Sequence, residues 1–154
     1  MITNRTEQDV ARWKELHDKG WVAMSAAERT EWQGEMKGRY SYTDMNRVED
    51  AVAELSDLFV FSGWLSEPLE TMGWSHLAIP AKEDMERYLG NIRALRNAAP
   101  VVYHETPHVP SISQPFDYQK ANDLEQILID LKQIYHEQTT GGGYHAGEIY
   151  SGEV

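Results

Sequence analysis

The chain has 154 residues, of which 14 are Lys or Arg and 25 are Asp or Glu, for a formal charge of −11 with His neutral. A surface of that sign repels phosphate backbones and anionic lipid, so neither nucleic acid nor membrane is expected as a partner. The absence of cysteine excludes a disulfide framework, a thiol nucleophile and a Cys-based zinc site, while an apolar fraction of 41% is enough for a modest core.

Apolar stretches such as Leu58-Phe59-Val60-Phe61 fall far short of the ~20 residues a bilayer requires. The first residues carry no apolar signal segment, so a soluble chain made in the cytoplasm is expected.

In chain order, Thr6-Glu7-Gln8-Asp9 reads as a capping box, with Thr6 accepting from first-turn amides and Asp9 near the positive helix end. The helix it opens carries Val10, Trp13, Leu16 and His17 at spacings of three or four and stops at Gly20. Ser25-Ala26-Ala27-Glu28 is a stronger box, and predicts a short helix through Trp32 and Met36 that ends at Gly38. A third helix begins at Ser41 or Tyr42, with Met45, Val48, Val52, Leu55 and Phe59 as its apolar stripe.

From Val60 to Ile79 the period breaks at Gly63, Pro68 and Gly73, so an ordered loop is expected, with a short strand near 58–65. Pro80 suits the first turn of a fourth helix, where its missing N–H would be unpaired anyway. That helix carries Met85, Tyr88, Leu89, Ile92 and Leu95 and is bounded by Pro100. Residues 100–115, with Pro107 and Pro110, must be extended. The fifth helix runs from about Asp117 to Gln138 and faces Leu124, Ile127, Leu128, Leu131, Ile134 and Tyr135 inward. Gly141-Gly142-Gly143 then ends it and hinges a tail. The expected fold is mainly α. It is a small bundle of about five helices with long aromatic- and proline-bearing connections, one helical domain over 1–140, and an extended tail over 141–154.

The third and fifth helices match in register over twenty residues at an offset of 76 (116 − 40), which pairs Tyr42 with Tyr118, Asn46 with Asn122, Glu49 with Glu125 and Leu55 with Leu131. The fourth joins more weakly at an offset of 40, with Asp84-Met85-Glu86-Arg87 on Asp44-Met45-Asn46-Arg47. The repeated segments are thus 40–59, 80–99 and 116–135. Apolar matches follow from any two amphipathic helices. The shared Tyr-x-x-x-Asn-x-x-Glu does not, and favours a duplication in which Asn46 and Asn122 cap or bridge a neighbouring backbone. The third and fifth helices are expected to pack antiparallel as the central pair.

No constellation points to catalysis. His104 and His108 are four apart, but Pro107 between them makes a helical metal pair improbable, and no nucleophile elbow, phosphate loop or dinucleotide fingerprint occurs. No catalytic, cofactor-binding or metal-ligating residue is therefore assigned. Trp13, Trp21 and Trp32 are expected to close the ends of the core. Trp64 and Trp74, in a connection, are as apt to stack on a sugar or a partner protein as to close the core. In the tail, Tyr144, Ile149 and Tyr150 alternate with small residues and suggest an arm that docks by strand addition on another subunit or partner.

The motif Trp21-x-Ala23-Met24-Ser25-x-x-Glu28-Arg29-x-Glu31-Trp32-x-x-x-Met36-Lys37-Gly38-x-Tyr40, followed by Thr43-Asp44-Met45-Asn46-Arg47-Val48, resembles a family of small phage and prophage proteins from Gram-positive bacteria. Met85-Glu86-Arg87-Tyr88-Leu89, the run Ala121–Leu128 and the ending Gly147–Glu153 extend the likeness over nearly the whole chain. The resemblance implies a tail- or baseplate-associated virion component that is non-enzymatic and acts by homo-oligomerising and docking other tail proteins. It carries no functional residues over to this sequence. The competing expectation, from the loop aromatics, is a carbohydrate-binding module that aids attachment to a cell-surface glycan.

Overall fold

A computed structural model describes residues 1–77, 80–113 and 115–140. Five α-helices form: α1 (Glu7–Lys19), α2 (Ala26–Gln33), α3 (Tyr42–Phe61), α4 (Lys82–Ala98) and α5 (Tyr118–Thr140). A single 3₁₀ turn, Trp21–Ala23, links the first two. No strand occurs among the described residues, and none of their helices is long and apolar enough to cross a membrane.

The capping boxes set the starts. Thr6 Oγ1 accepts from the Asp9 amide while the Asp9 carboxylate accepts from the Thr6 amide, and Ser25 and Glu28 repeat the exchange. At α3 the Asp44 carboxylate accepts from the Ser41 amide at 2.8 Å. Gly20, at φ +71°, ends α1 in a conformation that favours glycine.

Several boundaries differ from the sequence expectation. α2 stops at Gln33 with Gly34 as its cap, so Met36 and Gly38 lie beyond it. Gly38 serves the packing of this segment instead of ending a helix. A Cβ there would sit 2.0 Å from the Asp9 carbonyl oxygen, so only glycine lets the chain lie against α1. The strand expected near 58–65 is absent because α3 continues through Phe61, its Phe59 fully buried. Pro80 precedes the N-cap Ala81 instead of entering the first turn.

The largest correction concerns direction. Arg47 of α3 pairs with Glu125 of α5 at 3.0 Å, Glu54 with Lys132 at 2.6 Å, and Ser62 Oγ donates to the Tyr135 hydroxyl at 3.2 Å. Residue numbers rise together, so α3 and α5 are parallel, with ion pairs 78 apart against a sequence repeat of 76. α4 runs the same way. The connection after α3 walks back along it, Leu69 N–H donating to Ser56 Oγ and Trp74 N–H to Asn46 Oδ1, each at 2.7 Å. α4 therefore starts where α3 starts, and Arg87 meets Glu49 at 2.6 Å. The second connection likewise retraces α5, with Tyr103 on Glu137, Thr106 on Asp130 and the Phe116 ring 4.8 Å from that of Tyr40.

Three parallel helices need long returns. A 20-residue helix is ~30 Å long, and the connections over 62–81 and 99–117 are long enough to span it when extended.

The core lies on the common axis: Val48, Val52, Leu55 and Phe59 from α3, Tyr88, Ile92 and Leu95 from α4, and Leu124, Ile127, Leu128, Leu131 and Ile134 from α5, each at most 2% exposed. Around this axis the repeat becomes a cyclic pattern. Arg47 of α3 reaches Glu125 of α5, and Arg87 of α4 reaches Glu49 of α3. In the third interface the corresponding residues are Asp123 and Leu89, which cannot pair.

The two repeated asparagines do the bridging expected of them. Asn46 donates to the Trp74 carbonyl and accepts from its amide (3.0 and 2.7 Å), and Asn122 clasps Arg5 in the same way (2.9 and 3.1 Å). Each holds an extended segment against the bundle, where its backbone would otherwise lack partners.

Candidate functional site

Arg5, on the N-terminal arm, is 3% exposed and bonds both Asp44 (2.8 Å) and Glu125 (2.7 Å). Arg47 bonds the same two carboxylates from the outside, completing an alternating ring of charges. Burial pushes the Asp44 carboxyl up, but the Ser41 amide, Arg47 and Arg5 together hold it below its ordinary 3.8. Beside the ring the Tyr40 and Tyr88 hydroxyls share a 2.6 Å hydrogen bond, and burial raises both phenols. Both carboxylates are engaged by the two guanidinium groups and by the Ser41 and Ile2 amides, which makes the cluster a joint between arm and bundle. Among the described residues no group of three or more metal-ligating side chains occurs, and His104 and His108 are exposed on the second connection.

The two tryptophans singled out by sequence lie far apart. Trp64 is half-buried at the C-terminal end of α3, edge-on to Phe59 (4.7 Å) and Tyr135 (5.5 Å). Trp74 is 6% exposed at the other end, its Nε1–H donating to Glu49 and its backbone clasped by Asn46. The residues they sit against, Phe59 and Asn46, are separated by ~20 Å of helix. They form no common platform, and the Trp74 ring belongs to the core. Tyr144, Ile149 and Tyr150, with the whole segment 141–154, lie outside the described residues. A receiving sheet edge for strand addition is absent from the described residues as well.

Two surface features were not legible as sites. The first is the tip of the α1–α2 hairpin. Trp21, expected inside, is 46% exposed, and Val22 beside it is 90% exposed. Arg29 of α2 fixes both: its Nε–H donates to the Trp21 carbonyl at 3.1 Å, its Nη2–H to the Val22 carbonyl at 3.2 Å, and its guanidinium lies 5.2 Å over the indole. Lys19 and Glu28 brace the turn at 2.7 Å. Trp13 and Trp32, expected to close the core, instead stack on each other at 6.4 Å within the hairpin, half-buried and apart from the bundle core.

The second feature is a cleft of about 210 Å³ at the N-terminal end of α3. The buried Trp74 and half-buried Tyr40 line it together with the exposed Arg39, Ser75, Tyr42 and His76, the last two with rings 6.0 Å apart. No acidic side chain lines it among the described residues. Its less exposed lining is rigid because Trp74 is held at three atoms and Tyr40 is bonded to Tyr88. The sequence signal for this cleft is faint. Tyr42 is half of the repeated tyrosine pair, but nothing in the residue order places His76 beside it. Comparison with known protein families, with curated proteins and with solved structures returned no match.

Proposed function

We propose that the chain is a non-enzymatic assembly protein, an adaptor of a phage tail or baseplate that works in the virion by docking other proteins. The resemblance in sequence supplies the setting, and the pinned Trp21–Val22 tip is the observation that carries the docking role. Leaving two large apolar side chains in water is unfavourable, and Arg29 commits two hydrogen bonds to holding them there. Tryptophan and arginine so arranged are the residue types that dominate protein–protein binding energy.

The test is quantitative mass spectrometry of purified virions from a strain carrying the gene. The wild-type chain is expected in a fixed multiple of three or six. Val22→Asp is expected to lose incorporation while the purified protein keeps its melting temperature. Virions that lack the chain would end the reading.

A second reading, a carbohydrate-binding module for the cell surface, is favoured by the Tyr42–His76 cleft rather than by Trp64 and Trp74. Exposed aromatic rings beside polar groups suit sugars.

A further inference from the structure

We propose that the cleft between Tyr42, His76 and Arg39 binds a hexose bearing an anionic group, carboxylate or phosphate, with Arg39 holding the anion and the Tyr42 ring lying against the sugar. This rests on the carbohydrate-binding reading and gives it residues and a ligand class.

Three observations meet here. Electrostatics comes first. In a chain of charge −11 this cleft has one arginine, one histidine and no carboxylate among its described lining residues. The ion pairs of the described residues all involve other side chains, so the Arg39 guanidinium has no carboxylate partner among them. Asp44, close by in sequence, is committed to Arg5 and Arg47. A planar guanidinium with open donors matches a carboxylate or phosphate in two-pronged geometry.

The second observation is the ring. Tyr42, the first residue of α3, is 38% exposed and lies beside His76, with ring centroids 6.0 Å apart. The exposed Tyr42 ring offers C–H contact to a pyranose, and Ser75 adds a hydroxyl to the same cleft. Rigidity is the third. Trp74 and Tyr40 are set by the Asn46 clasp and by the Glu49 and Tyr88 hydrogen bonds, so little ordering of them is required on binding.

The experiment is a titration of the isotopically labelled full chain, followed by amide NMR shifts, with D-glucuronate, D-glucose 6-phosphate, methyl α-D-glucoside and inorganic phosphate as separate probes. Both anionic sugars should shift the Tyr42 and His76 amides and bind about tenfold more tightly than the neutral glucoside, the value of one charge-assisted hydrogen bond. The stronger of the two identifies the anion. Arg39→Ala should erase that preference, and Tyr42→Leu should weaken all three sugars. Arg93→Ala, on the exposed face of α4, should change nothing. Each variant's melting curve, taken alongside, verifies folding.

Equal binding of neutral and anionic sugars would overturn the proposal and leave the carbohydrate reading standing. Inorganic phosphate binding as well as the sugar phosphate would also overturn it, since the hexose would then contribute nothing. No shift at these amides with any probe would remove the proposal, and the carbohydrate reading of this cleft with it.

Discussion

The α1–α2 hairpin has its ion pairs on the surface, whereas the parallel bundle also buries some of its own. In the bundle, Arg5, Glu125 and Glu49 have side chains 1%, 0% and 4% exposed, and each is bonded to at least one opposite charge. In the hairpin, Arg12–Glu31 and Lys19–Glu28 lie on the surface, and the buried residues are Leu16 in α1 and Met24 after the 3₁₀ turn. Buried pairs are intolerant of losing a member, because the charge left behind has neither water nor partner. Surface pairs are readily replaced by water. The bundle is therefore the rigid part in which direction and register are specified. The hairpin is a light bracket that carries the Trp21–Val22 tip, held down by the Arg5 arm, by Gly38 against Asp9 and by Lys37 on Asn4.

The sharpest test of this contrast is to put a charge on the bundle axis. Leu55→Asp and Leu131→Asp, at positions 1% and 0% exposed, should each unfold the chain. Burying an unpaired carboxylate costs several kcal/mol against a total of roughly 5–15. Circular dichroism showing either variant melting like wild type would break the account of the core.

Next in size is Arg5→Ala, which leaves Arg47 as the one guanidinium on Glu125 and Asp44 and should lower stability by about 3–5 kcal/mol in urea denaturation. Arg12→Ala in the hairpin should leave the same midpoint within scatter. Equal losses from the two would erase the distinction between the regions.

Asn46→Ala and Asn122→Ala should each cost about 1–3 kcal/mol, since each orphans an amide and a carbonyl of the segment it clasps. The two sites share no partner, so the double variant should show the sum. A loss at one site only would show that the two clasps are not equivalent.

The smallest effect is on acid response. Hydrogen bonds from Lys19 and Ser25 lower the Glu28 carboxyl from 4.5 to about 2. A depressed folded-state value stabilises above the unfolded one and is lost as pH falls, so the Glu28 contribution should fade between about pH 4.5 and 2. Trp21 fluorescence should report this loosening of the hairpin over that window, and Glu28→Gln should abolish it. A response unchanged in Glu28→Gln would assign it to another carboxyl, with Glu31, lowered by Arg12 across the hairpin, the first candidate.

Much of the local structure is legible in residue order. The box residues at Thr6 and Ser25 start their helices where expected, and the stripes of α3, α4 and α5 form the core. The differences have a common cause, which is that distant contacts override a local pattern. Met36 keeps a helical spacing from Trp32 and so suggests a longer α2, yet it sits in a loop whose path is set by Gly38 on α1. Tryptophan is usually inside, and only the contacts from Arg29, eight residues away, show why Trp21 stays out. Trp74 lies in a connection and so looks available to a ligand, but the core claims it through α3 side chains 25 and 28 residues distant.

The sequence by itself determined the helices, their buried faces and the likeness of α3 to α5, because caps, apolar period and repeated polar residues are local and directional along the chain. Tertiary structure alone decided that the three helices run parallel. An apolar stripe tells a helix which side to bury and is indifferent to whether its neighbour points up or down. The choice is made by contacts distant along the chain, above all the buried carboxylates Glu125 with Arg47, 78 residues away, and Glu49 with Arg87, that oppose charge to charge only when the helices run the same way.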